Sequence, residues 1–534
     1  MRMTGGEALA RQLVLEGVTD VFGVPGVQLD HALDGLARWA DGMRFFVTRH
    51  EQAAAYMADG YARATGDVGV CMVVPGPGVL NAGAGLATAY ACSSRVLCIA
   101  GQVPSWAIGR RLGLLHEVPG QTALLRSLTK WSGMARTPGE VPGVVRAAMR
   151  ELRSGRPRPV AVEIPPDVLA ATGEVELVAP GDEERRPTVP DPQAIERAAA
   201  MLRRADQPVI YAGGGVAASG AGAELAELAE RLEAPVVMSR GGRGAVSDRH
   251  RLALTSVAGR KVMPDADVVL IVGSRFLTNA GQPVPTAEST ELIGLNADPA
   301  GLRALDTAVL ADARLGLRAL TTAVGETAPR SRQAEVDAAR AWAERQVSAV
   351  QPQYSWLRSL RAAIPDDGIL VNELTQVGYL ASVAYPVYRA GGFIAPGYQG
   401  TLGYGFPTAL GAKVGAPDRP VVSITGDGGF GWCLAELATA RKHGIGVVTV
   451  VFNDSAFGNV RRTQRERFDR RVMGSELVNP DFVALAEAFG VRGALARTPA
   501  ELEGTLKDAL TADEPALIEV PVGEMPSPWH LVLD

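Results

Sequence analysis

A chain of 534 residues with 47% apolar and 21% charged side chains is long enough for three or four domains with cores of their own, and too apolar for disorder. Its formal charge of −5 is small for that length and its basic residues are dispersed, which excludes the electrostatic footprint of a nucleic-acid or anionic-lipid binder. Cys71, Cys92, Cys98 and Cys433 sit in apolar segments without C-x-x-C spacing, so reduced thiols in a cytoplasm are expected rather than a zinc site or disulfide framework.

The first segment, MRMTGGEALARQLVLEG, reads as an amphipathic helix with charges throughout and not as a signal peptide. No stretch has the roughly 18 uninterrupted apolar residues of a membrane span. To about residue 170, the runs DVFGV, FFVTR, VGVCMVV, RVLCIAG and PVAVEI alternate with helical patterns such as EQAAAYMADGYARATG, which predicts βα units around a parallel sheet. The polar stretch APGDEERRPTVPDP, 179–192, reads as a linker. A second α/β region follows, with PVIYAGGGVAAS and ADVVLIVGS as its clearest strands, and Gly213, Gly215 and Ala218 there form a weak G-x-G-x-x-A pattern. A charged helical connector, TAPRSRQAEVDAARAWAERQVSAVQPQ, leads to a third α/β region that resembles the first in size and style, so two related sheets could face each other. The expected class is α/β with three parallel-sheet domains, at 1–175, 190–328 and 355–534.

In the third region the strand RPVVSIT runs into GDGG, which places Asp427 at the carboxyl end of a strand, where open α/β sheets bind ligands. Gly426 and Gly428 permit a tight turn. After the helix CLAELATARKHG, the strand GVVTVVF ends at Asn453 and Asp454, the latter 27 positions beyond Asp427. One βαβ crossover thus sets side-chain oxygens at adjacent strand ends, which suits Mg²⁺ holding phosphate oxygens. Alone, Asp427 would read equally as a helix N-cap and NDS as a turn.

GDG followed at this distance by an Asn-bearing turn resembles the thiamine diphosphate motif. RHEQAAAYMADGYARATG, GLATAY followed by GQVP, GTLGYGFPTALGAKVG, GDGGF, FNDSAFGNV and NPDFVALAEAFG occur in the order of the acetolactate synthase branch of that superfamily. The resemblance implies two thiamine diphosphate-binding folds, pyrimidine-binding first and diphosphate-binding last, flanking a Rossmann-like central domain. It implies Mg²⁺ on Asp427, Asp454 and the Ala456 carbonyl, with Gly426, Gly428, Gly429, Asn453, Phe457 and Gly458 around the cofactor. Many relatives have a second Asn where this chain has Asp454, so the site here carries an extra negative charge. Glu51 is similar in position to the glutamate that protonates the cofactor's aminopyrimidine, proton chemistry that needs a carboxyl held dry. Gly400 would accept the pyrimidine amino group, and Leu402 would wedge between the cofactor's two rings.

In LLHEVPGQ the family's active-site phenylalanine and glutamine region offers Leu115, His116 and Gln121, and His116 could move protons near neutrality. Thr463 stands where acetohydroxyacid synthases have an acceptor-selecting tryptophan. These departures put branched-chain amino acid biosynthesis in doubt but leave the cofactor logic. The leading expectation is a thiamine diphosphate- and Mg²⁺-dependent carboligase that decarboxylates a 2-oxo acid and joins the acyl unit to a second carbonyl compound. The alternative is a benzoylformate- or pyruvate-type decarboxylase releasing an aldehyde; a nicotinamide oxidoreductase and a noncatalytic paralogue stand further off. Gly213 to Ala218 could hold FAD or another adenine nucleotide, or serve only close packing. The family's geometry implies a homodimer or homotetramer with active sites between subunits. The tail GEMPSPWHLVLD could close over the site or pack on the surface.

Overall fold

Short β-branched runs bounded by glycine and proline become the strands of three six-stranded parallel sheets in the computed structural model, which describes residues 1–181, 187–327 and 330–533. In the first sheet the spatial order is Arg44–Val47, Asp20–Gly23, Gly69–Val73, Val96–Gly101, Val160–Ile164, Trp131–Met134. In the third it is Phe393–Ile394, Ile369–Asn372, Val421–Gly426, Val447–Asn453, Ala516–Pro521, Arg492–Leu495. Numbered within each sheet, both run 2-1-3-4-6-5, so the likeness expected between the first and third regions is a likeness of topology.

The central sheet runs Ala253–Thr255, Val236–Met238, Pro208–Ala212, Val268–Val272, Glu291–Asn296, Thr307–Leu310. Its 3-2-1-4-5-6 order is that of the Rossmann sheet. The inner strands, such as Val268–Val272, are buried along their whole length, as strands covered by helices on both faces must be.

Two expected elements differ in detail. The N-terminal helix spans only Gly5–Leu15, because Thr4 caps it by accepting a hydrogen bond from the Glu7 N–H. Arg2–Thr4 before it is a strand, paired antiparallel with Thr172–Glu174. The CLAELATARKHG helix is a 3-10 turn, Leu434–Glu436, followed by Leu437–His443. The connector holds the helix Gln333–Ser348, and residues 182–186 of the expected linker lie outside the described residues.

The first and third sheets meet through the helices Glu51–Thr65 and Gly405–Gly415. A Cβ on Gly60 would lie 1.9 Å from the Thr408 carbonyl oxygen, and one on Gly411 1.9 Å from that of Met57, so only glycine lets the two backbones approach this closely. Around them Tyr56, Met57, Tyr404, Phe406 and Phe430 share one core with strands of both sheets.

Candidate active site

Strand order changes direction between Ile369–Asn372 and Val421–Gly426, and ligands of open α/β sheets bind at the carboxyl ends beside such a switch. Asp427 follows the second of these strands and is 2% exposed. Its Oδ2 accepts hydrogen bonds from Asn479 Nδ2 (2.7 Å) and the Ala456 N–H (3.1 Å). Asn453, at the end of the next strand, accepts from Asn479 (3.0 Å) and from the Ser455 N–H (3.1 Å), and donates to Glu519 Oε1 (2.8 Å). Asn479 therefore ties the two strand ends together. Arg461 Nη2 lies 3.5 Å from Asp454 Oδ2. A Cβ on Gly458 would sit 2.2 Å from that same oxygen, and one on Gly428 2.6 Å from the Phe457 ring. The glycines thus leave the backbone no room to spare.

Burial raises the Asp427 carboxyl above its ordinary value. Burial first, and then the charge on Asp427, push Asp454 up to about 6. Two buried carboxyls, both raised by burial and the second raised further by the charge of the first, are the electrostatic complement of a cation. Among the described residues no three His, Cys, Asp or Glu side chains converge, so a cation here would rest on two carboxylates and main-chain oxygen.

This repulsion has a measurable sign. A carboxyl that titrates near 3.8 ordinarily and near 6 when folded binds an extra proton in the folded state between those values. The metal-free protein should therefore gain stability from this group as pH falls from 7 towards 5, and lose it as pH rises through 6. Melting curves of chelator-treated wild type and Asp454→Asn across that range isolate the effect. The wild type's melting temperature should rise relative to the variant's as pH falls, and parallel profiles would contradict the assignment.

Glu373, at the end of the neighbouring strand, accepts from the N–H groups of Gly403 and Gly405 (both 3.0 Å) and from the Thr425 hydroxyl (2.8 Å). It is fully buried, and burial raises its pKa. A Cβ on Gly429 would lie 2.0 Å from its Oε1. One carboxylate thus fixes the loop Gly400–Gly405 against the GDGG turn. On that loop Gly400 and Gly403 take φ of +58° and +77°, and the Leu402 side chain is held outward, 39% exposed. Thr463 spends its hydroxyl on the Asn459 carbonyl of its own helix, Gly458–Arg467 (2.9 Å).

A second cluster surrounds the turn at residues 75–76 that opens the helix Pro77–Cys92. Glu51 opens the helix Glu51–Thr65, is 9% exposed, and accepts from Asn81 Nδ2 (2.9 Å). A Cβ on Gly78 would be 3.4 Å from Glu51 Oε1, and one on Gly76 2.3 Å from the His116 carbonyl oxygen. His116 holds φ +65° and its buried Nδ1 has no partner. Gln121 is buried, accepts from the Gly76 N–H (2.8 Å), and donates to the Gly101 carbonyl (3.0 Å) and Glu163 (2.9 Å). Leu115 is 64% exposed. Glu51, His116 and Gln121 thus converge on one turn, and Asp427, Asn453 and Asp454 converge on the other sheet.

Asn81, Glu373, Arg461 and Asn479 carry no role in the sequence reading. Asn479 does fall inside NPDFVALAEAFG, and Glu373 repeats the pattern of Asp427, an acid directly after a buried strand. The C-terminal tail packs on the helix Gly458–Arg467: Trp529 Nε1 donates to Asn459 Oδ1 (2.9 Å), and its ring centroid lies 4.4 Å from that of Tyr379.

In the central sheet Gly213 and Gly215 back directly onto Gly273, where added Cβ atoms would lie 2.3 Å from its carbonyl oxygen and 2.6 Å from its Cα. Beside them opens a cavity of about 790 Å³, whose walls include Arg156, Arg240, Arg275 and Asp298. Cys71, Cys98 and Cys433 are buried and all four cysteines are free. No helix among the described residues is long and apolar enough to cross a membrane.

Three family models match the chain: "Thiamine pyrophosphate enzyme, N-terminal TPP binding domain" over residues 3–124, the central domain of the same enzymes over 195–320, and their C-terminal TPP binding domain over 374–520. A probable 2-ketoarginine decarboxylase of Pseudomonas aeruginosa is 35% identical over 97% of this chain and 94% of its own length. A probable acetolactate synthase large subunit of Methanocaldococcus jannaschii is 35% identical over 97% and 92%. The acetolactate synthase isozyme 3 large subunit of Escherichia coli is 33% identical over 95% and 92%.

Proposed function

This chain belongs to the thiamine pyrophosphate enzymes, and we propose that it is a Mg²⁺-dependent carboligase, which decarboxylates a 2-oxo acid and joins the acyl unit to a second carbonyl compound. The observation that carries the metal is the buried pair Asp427 and Asp454, both raised by burial, with the charge of Asp427 pushing Asp454 up further. Their hard oxygens, with the Ala456 carbonyl, would hold Mg²⁺ and through it the cofactor's diphosphate. Gly426, Gly428, Gly429, Asn453, Phe457 and Gly458 shape the loop around it.

When bound, thiamine diphosphate supplies a nucleophilic carbon that adds to the 2-oxo acid carbonyl and takes up the electron pair released with carbon dioxide. Glu51 would exchange a proton with the aminopyrimidine ring from a pocket that excludes water. Gly400 would accept the ring's amino group, and Leu402 would hold the cofactor bent. His116, whose backbone carbonyl faces Gly76 and whose buried Nδ1 has no partner, could give or take a proton at the substrate. Leu115 and Thr463 would line the acceptor side, where a threonine leaves more room than an indole. Gln121 contributes by fixing the turn through Gly76.

Three units, 1–175, 190–328 and 355–534, divide these tasks. Exposed apolar side chains beside both clusters, Leu115 and Leu402 among them, fit a homodimer or a tetramer of two dimers, with Glu51 of one chain facing Asp427 of another. The central cavity, with arginines beside Gly213 and Gly215, fits FAD or another adenine nucleotide, and the absorbance spectrum of freshly purified protein tests for the flavin. Free thiols suit the cytoplasm.

The deciding experiment is turnover with thiamine diphosphate and Mg²⁺ on a panel of 2-oxo acids, with and without an added aldehyde, products being identified by mass spectrometry. Coupled hydroxyketones or 2-hydroxy-2-alkyl acids are expected. Free aldehyde as the sole organic product would favour the decarboxylase reading, which the 35% identity to the Pseudomonas protein supports.

A further inference from the structure

The segment that follows the GDGG turn reaches across to the other sheet. Glu436 is 1% exposed and accepts from the backbone N–H groups of Arg49 (3.0 and 3.2 Å) and His50 (3.1 Å), the two residues immediately before Glu51. The Thr439 hydroxyl donates to its other side at 2.5 Å. One turn on, His443 Nε2 accepts from the Val47 N–H (3.1 Å), and its ring lies 5.0 Å from that of Phe46. Three N–H groups leading into the Glu51 helix are thus held by side chains from the carboxyl-terminal part of the chain. Thr48 between them donates its N–H to Gly23 of the adjacent strand (3.0 Å).

A helix start anchored only by its own cap could rotate or fray by a fraction of an ångström. Here His50 is that cap, its Nδ1 accepting from the Gln52 N–H at 3.2 Å. Pinning the backbone at residues 47, 49 and 50 as well fixes where the first helical side chain points. We infer that Glu436 is a positioning residue that acts through Glu51: it sets the carboxyl group's place from nine residues beyond Asp427, so the segment that begins at one cofactor loop also orients the glutamate of the other cluster. Burial pushes Glu436 up to about 7, against the pull of its hydrogen bonds from Thr439, Arg49 and His50, and a carboxyl group suits this task because its two oxygens can take several donors at once.

The inference rests on the reading of Glu51 as the group that exchanges a proton with the cofactor. The test uses holoenzyme reconstituted with thiamine diphosphate and Mg²⁺. Deuterium exchange at the cofactor's C2 position is followed by quenched NMR, beside kcat, KM and cofactor affinity, in wild type, E436A, E436Q and E51Q. In E436A, exchange and kcat should fall about tenfold or more while KM and cofactor Kd stay within about threefold, as expected of a misplaced rather than missing group. In E436Q the amide oxygen can still accept both N–H groups and the amide NH₂ can face Thr439, so most of the exchange rate should return.

Wild-type exchange in E436A with slow exchange in E51Q would overturn the positioning role and leave Glu51 standing. Wild-type exchange in E51Q would overturn both. A fall in cofactor affinity matching the fall in exchange would mean general loosening and would also overturn the inference. Should E436A not fold, E436D, which withdraws the carboxylate by one methylene, is judged by the same criteria.

Discussion

Glu51→Gln should reduce turnover by a factor of about 10² to 10⁴, the usual worth of a positioned acid or base, while thiamine diphosphate and Mg²⁺ still bind. The substitution is nearly isosteric. Asn81 now donates to Glu51 at 2.9 Å, and rotation of either amide lets it keep a hydrogen bond to glutamine. What disappears is a group able to carry a proton in a 9% exposed pocket. Because the loss is chemical, KM should change little and kcat should carry the effect. Cofactor affinity measured by calorimetry separates this from a binding defect. Full activity in the variant would remove Glu51 from the proton path, and loss of cofactor binding would make it a structural contact.

The architecture was open to reading because its signals are local. Alternation of buried apolar runs with helical periods marks βα units, and the third region's likeness to the first is present in the rhythm of VGVCMVV and GVVTVVF before their shared 2-1-3-4-6-5 order is seen. Short edge strands such as Trp131–Met134 escape, since four half-buried residues have no distinctive alternation. In the candidate site, Asp427 and Asp454 declare themselves as acids at the ends of strands. Glu373 and Asn479 do not, because their meaning lies in partners 30 and 52 positions away, the Gly403 N–H and Asp427. Glu436 is still less legible: inside LAELATARKHG it looks like one more charge on a helix, and only the fold carries it to the N–H groups of Arg49 and His50. Pattern reports what neighbours in sequence do, and these residues act on neighbours in space.

The proposed metal loop supplies the other large effect. Asp427→Ala removes the carboxylate on which Asn479 and the Ala456 N–H converge, so it deletes a proposed ligand, strips the Ala456 N–H of its acceptor and leaves Asn479 only its bond to Asn453. Mg²⁺-dependent retention of thiamine diphosphate should be lost by more than the about 10- to 100-fold that an outer partner is worth, and Asn479→Ala should fall within that range. Asp454→Asn is the gentler probe. It keeps an oxygen and removes the charge that Arg461 faces at 3.5 Å, so the guanidinium is left beside the proposed cation site without its own ion-pair partner, and the half-saturating Mg²⁺ concentration should rise. Adding Arg461→Gln removes that repulsion, so the double variant should need less Mg²⁺ than Asp454→Asn alone, a coupling of opposite sign to two independent losses. Mg²⁺ titrations of cofactor binding in the four proteins of this cycle read the sign directly. If the second substitution worsened the first additively, Arg461 would be serving the diphosphate rather than Asp454, and the extra negative charge of this site would have a different counterpart.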